Sequence, residues 1–72
     1  MISYAPLWKL LIDKKKKRLD VCREAGIATS TLAKMSKDQY VSLEVLDRIC
    51  IAFDCRIEDV VSIVRSEVGA QL

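Results

Sequence analysis

Only two glycines and one proline punctuate the 72 residues of this chain. A small all-β domain needs many turns, and turns draw on those residue types, so this is poor material for a sandwich or a barrel. Apolar residues make up 51% of the chain, which removes it from the disordered class. The length permits one core, so residues 1–72 read as a single domain. A doubly wound dinucleotide-binding sheet, an eight-stranded parallel barrel, a porin and any large enzyme scaffold are excluded. Ordering each residue costs roughly 1.5 kcal/mol, so most Leu, Ile and Val side chains must share one interior.

The apolar spacing predicts an all-α bundle of about five short helices. The first runs from Ala5 to Lys14, with Pro6 in its first turn and Leu7, Leu10 and Leu11 facing inward. Trp8 and Ile12 flank that stripe, and the run Lys14 to Arg18 is too charged to bury and reads as a connection. Leu19 to Ala25 forms a second pattern, with Leu19 and Cys22 on one side and Val21 and Ala25 on the next. Gly26 follows directly and suits the left-handed position that ends a helix. A third helix is expected from Ala28 to Ser36, with Leu32 and Met35 inward. Two short helices about three residues apart, centred on a glycine, have the spacing of a helix-turn-helix.

Ser36 to Val41 reads as a loop, and Ser42 as the N-cap of a fourth helix whose stripe is Leu43, Leu46, Cys50 and Phe53, widened by Ile49. After a turn at Asp54 to Arg56, a fifth helix is expected to start near Glu58 and Asp59 and to carry Val60, Val61, Ile63 and Val64. Its polar residues do not alternate, which favours helix over strand. Residues 66–72 are expected to fray.

Net charge hides an asymmetry. Residues 1–37 carry nine basic and three acidic side chains, and residues 38–72 carry three basic and seven acidic ones. The first half has the sign a polyanion wants. No apolar run approaches the roughly 20 residues that span a bilayer, and the positive charge follows the apolar start rather than preceding it as an export signal requires. Three cysteines (Cys22, Cys50, Cys55) in apolar settings imply reduced thiols and a cytoplasmic protein. With no His and no CxxC pair, no metal and no cofactor is expected. Adjacent Glu58 and Asp59 match a helix dipole rather than a metal. Trp8 is assigned to the edge of the core, and Tyr40 to covering the loop after the third helix.

The stretch Leu19 to Met35 resembles the helix-turn-helix of lambda-repressor-like, Cro/Xre-type DNA-binding domains. The likeness rests on Cys22 at the small-residue position, Gly26 four residues later, Ile27 after it, and Leu32 and Met35 on the buried side. The apolar start ISYAPLWKLL and the helix SLEVLDRICIAFDC also resemble a small Xre-like regulator subgroup. Three positions depart from the family pattern: Ala28 stands where Ser or Thr is usual, Gln is absent from Ala28 to Met35, and Arg56 stands where a capping Asp or Ser is easier to explain.

The resemblance implies that Thr29, Ser30, Ala33 and Lys34 reach base edges in the major groove. Lys34 suits guanine O6 or N7, and Ala33 a thymine methyl. It further implies phosphate contacts by Lys17, Arg18, Ala28, Thr31 and Lys37, with Lys14, Lys15 and Lys16 adding longer-range attraction. The function implied is sequence-specific binding of double-stranded DNA by a small transcriptional regulator. It would bind as a homodimer, with the fifth helix and Met1 to Tyr4 as candidate subunit contacts. The competing reading is a protein-binding adaptor or antitoxin-like partner working through the acidic half from Asp38 onward. An enzyme is not expected: no His, no nucleophile–base pair and no Gly-rich phosphate loop is present. No membrane and no small-molecule ligand is expected either.

Overall fold

A computed structural model describes residues 1–65 of the chain. Strand β1 (Ile2–Ser3) leads into helix α1 (Ala5–Asp13), then α2 (Arg18–Ala25), α3 (Thr29–Ser36) and α4 (Leu43–Phe53). A single 3-10 turn (Ile57–Asp59) and strand β2 (Ser62–Ile63) complete the described chain. The expected fraying of residues 66–72 lies outside the described residues.

The interior gathers two or three side chains from every helix. Tyr4, Leu7, Val21, Met35, Ile49 and Val60 are all essentially inaccessible, and Leu11, Ala25, Ile27, Leu32, Leu46 and Phe53 close around them. Leu7 and Leu11 are buried as their spacing required, Leu10 is partly so, and Trp8 lies half-buried at the core's edge. No buried side-chain nitrogen or oxygen among the described residues lacks a partner, so burial here carries no unpaired polar cost.

The expected fifth helix is not formed. Residues 57–59 make one 3-10 turn, and Ile63 and Ser62 pair antiparallel with Ile2 and Ser3. Two physical reasons favour the strand. Only Val60 finds room in the core, so a helix here would have no buried stripe to hold it. Val and Ile are also stiff at χ1 and suit an extended backbone, and the Met1–Ser3 segment offers the hydrogen bonds, including Val64 N–H to the Met1 carbonyl at 2.8 Å. Of the two subunit-contact candidates, the C-terminal one is therefore not a helix among the described residues, and Met1 to Tyr4 carries the sheet strand Ile2–Ser3 with Tyr4 buried and Met1 exposed.

Tyr40 is also corrected. It is 75% exposed, and Tyr4 instead secures the loop after α3. The Tyr4 N–H donates to Asp38 Oδ1 at 3.0 Å and its hydroxyl to the Gln39 carbonyl at 2.7 Å. Leu43, placed on the α4 stripe by spacing, is 75% exposed, because Leu46, Ile49 and Phe53 form the buried line. Leu19 is exposed for the same reason on α2, where Val21 and Ala25 turn inward. Left-handed turns fall at Lys15, Asp38 and Asp54 as well as at Gly26. Asp tolerates that region better than most side chains.

Ser42 caps α4, its Oγ accepting from Val45 N–H at 3.3 Å. At Arg56 the missing cap is supplied from within the turn, where Asp59 Oδ2 accepts the Arg56 N–H at 3.0 Å. All three cysteines are free and half-buried. Burial pushes the Cys55 thiol from 9.0 up to about 11, and raises Cys50 as well. The fold therefore favours the neutral thiols. Their contribution is complete below pH 9.0, the unfolded value, and is lost as the pH climbs from there through about 11. Urea midpoints should hold steady around neutral pH and fall across that window, with Cys55→Ala reducing the fall.

Candidate nucleic-acid interface

The angle between α2 and α3 is set at Gly26, whose backbone is left-handed (φ 68°, ψ 38°). Its N–H and that of Ile27 both bond back to the Cys22 carbonyl, at 3.0 and 3.2 Å. This closes α2 and turns the chain within two residues. Ile27 drops into the core behind the turn, and Cys22 and Ala25 leave room for the second helix to approach.

The buried side of α3 consists of Leu32 and Met35. At 100° per residue this forces Thr29, Ser30, Ala33 and Lys34 to the opposite side, and all four are exposed there. Thr31 is half-buried at the side of the helix that faces the start of α4. The face holds one cation, two hydroxyls and two methyls, and a single helix of this kind fits a major groove.

A basic rim surrounds the far end of α3. Lys37 is its C-cap, and Lys17 and Arg18 open α2. The two ends meet directly: Arg18 Nη1 donates to Ser36 Oγ at 3.0 Å. Lys17, Arg18 and Lys37 are all exposed. Lys16 is drawn off this rim into an ion pair with Glu24 at 3.0 Å.

The three helix starts near this surface are not alike. At α2 the Asp20 carboxylate accepts the Lys17 N–H at 2.8 Å, which already supplies negative charge to that dipole end. At α4 Ser42 supplies a hydroxyl cap. At α3 the N-cap is Ala28, which has no side-chain acceptor to offer, so the Thr29 and Ser30 N–H groups are left without a side-chain cap. The departure from Ser or Thr at Ala28 therefore leaves open donors at the N-terminal end of the exposed face.

Two contributors were missed from sequence. Arg48 on α4 donates to the Gly26 carbonyl at 3.2 Å and to Glu44 Oε2 at 2.8 Å, strapping the turn to α4. Its i,i+4 pairing with Glu44 was legible, but the carbonyl it reaches lies 22 positions away. Ser36 had no signal beyond closing a helix. Among the described residues no cluster of three or more His, Cys, Asp or Glu could hold a metal, and no helix is long and apolar enough to cross a membrane.

No curated protein matches this chain. The crystal structure of the transcriptional regulator VanUg superimposes with a TM-score of 0.86 and 38% identity, over 90% of this chain and 87% of that one. The family model of the Cro/C1-type HTH DNA-binding domain matches residues 6–66, which spans α1 to α4, the 3-10 turn and β2. The chain belongs to the Cro/C1-type helix-turn-helix DNA-binding domains.

Proposed function

We propose that this protein is a sequence-specific transcriptional regulator that binds double-stranded DNA as a homodimer in the cytoplasm. One observation carries the reading. The side of α3 that Leu32 and Met35 leave free presents Thr29, Ser30, Ala33 and Lys34 beside the cations Lys17, Arg18 and Lys37. In this reading α3 lies in the major groove and Lys34 donates to guanine O6 or N7. Ala33 packs on a thymine methyl, and the two hydroxyls add contacts that discriminate less. Lys17, Arg18 and Lys37 neutralise backbone phosphates, with Thr31 and the open N–H groups after Ala28 assisting. The Asp20 carboxylate shifts the burden at α2 from the helix end to the two basic side chains.

Few direct base contacts per copy favour a second copy on an adjacent half-site, one helical turn away. The similarity to VanUg, a transcriptional regulator, supports the regulatory role and not the copy number. Selection from a random duplex pool should enrich a palindrome with half-sites about 10 base pairs apart. Binding to the enriched duplex should fall with salt, with a log–log slope of several units. Enrichment of nothing, together with no retention of mixed-sequence duplex at low salt, would remove the proposal.

A further inference from the structure

We infer that Trp8 is a positioning residue for DNA binding, its indole face holding the Arg18 guanidinium ready for a backbone phosphate. The inference rests on the DNA-binding reading above and names how one phosphate contact is prepared. The Arg18 guanidinium carbon lies 3.9 Å from the centroid of the Trp8 ring, so the planar cation stacks on the aromatic face. Its Nη1 is held from another side by Ser36 Oγ at 3.0 Å. Trp8 belongs to α1, Arg18 is the first residue of α2 and Ser36 the last of α3. Three helices thus fix one side chain whose Cα sits on the basic rim.

What this arrangement leaves unsatisfied is the charge. Among the described residues the ion pairs are Lys16 with Glu24 and Arg48 with Glu44, and neither involves Arg18. A guanidinium carries five N–H donors. Stacking takes its face and Ser36 takes one donor, so most of its edge remains for an acceptor. Phosphate fits that edge through two parallel hydrogen bonds. The side-chain freedom that Arg would lose on gripping a phosphate is lost beforehand, which favours the complex. A purely structural stack would link α1 to α2 equally well with its charge paired to a carboxylate. Here no such partner stands among the described residues.

The test is a double-mutant cycle on affinity for a fluorescein-labelled duplex, either the enriched sequence or a mixed one at low salt. Trp8→Leu should weaken binding about threefold to tenfold, and Trp8→Phe should stay within about twofold of the unaltered protein. Arg18→Gln should weaken binding further and lower the log–log salt slope by about one. With Arg18→Gln already present, Trp8→Leu should change affinity by less than about twofold. Arg18→Lys, which keeps the charge and loses the plane, should keep the slope and lose affinity. Trp8 is the only tryptophan, so its emission should shift on Arg18→Gln without DNA and on adding duplex to the unaltered protein. Equal weakening by Trp8→Leu with and without Arg18, or an unchanged affinity for Arg18→Lys, overturns the inference while leaving DNA binding intact. Should Trp8→Leu fail to fold, the Trp8→Phe and Arg18→Lys results decide. No duplex binding by the unaltered protein overturns both this inference and the reading beneath it.

Discussion

Reversing Lys34 and Lys37 together to Glu is expected to weaken duplex binding by roughly two to four orders of magnitude while leaving the fold unchanged. Lys34 stands on the free face of α3 and Lys37 at its C-cap, both exposed. A specific base contact is worth about 1–3 kcal/mol, and a reversed charge adds repulsion from the backbone at close range. Neither side chain forms an ion pair among the described residues, but both lie at the negative dipole end of α3, so thermal stability should fall by about 1–2 kcal/mol with the cooperative transition kept. Anisotropy titration at several salt concentrations checks the first statement, and a thermal melt the second. Lys37→Glu alone should lower affinity nearly equally for all sequences, as a phosphate contact does. Lys34→Glu alone should also relax preference at one base pair. If the double variant binds duplex normally, α3 is not the reading helix. A protein partner docked on the acidic half would be spared by both changes.

Ile49→Ala should be the most damaging core truncation outside the helix-turn-helix, costing about 2–5 kcal/mol. Ile49 is wholly inaccessible at the centre of α4. Removing three methyl or methylene groups there leaves a cavity in the core that all four helices share. Domains of this length have only about 0.05–0.15 kcal/mol of stability per residue, so this loss unfolds an appreciable fraction of the protein. Urea unfolding should show a lowered midpoint with an unchanged slope. Ile51→Ala, two residues on and 73% exposed, should change stability by less than about 0.5 kcal/mol. A similar cost at both positions would mean that burial is not what holds α4. DNA affinity of Ile49→Ala should fall only by its unfolded fraction and recover at lower temperature, because α4 presents α3 and makes no base contact in this reading.

The helix-turn-helix was legible because its signals are local. Gly26 marks the left-handed closure, and Leu32 and Met35, three apart, fix which side of α3 is buried. Ser42 announces α4 by a cap formed within four residues. The exposed face of α3 then follows from helix geometry alone. Stripe edges were less legible. Leu43 and Leu19 fit an apolar spacing as well as their buried neighbours do, and only the position of the adjacent helix excludes them from the core.

The amino-acid order by itself determined the four helices, the turn between α2 and α3, and the sign of the charge beside it. Each depends on residues within a few positions of one another. The tertiary structure decided the rest. Whether Ser62 and Ile63 formed a helix or a strand depended on Ile2 and Ser3, some sixty residues earlier, offering a partner edge. Likewise, Arg48 reaches Gly26, Tyr4 secures the loop at Asp38 and Gln39, and Trp8 carries Arg18, each across a separation no local pattern encodes. Periodicity states which way a side chain faces on its own element, whereas a partner brought in from a distant segment exists only once the chain has closed around its core.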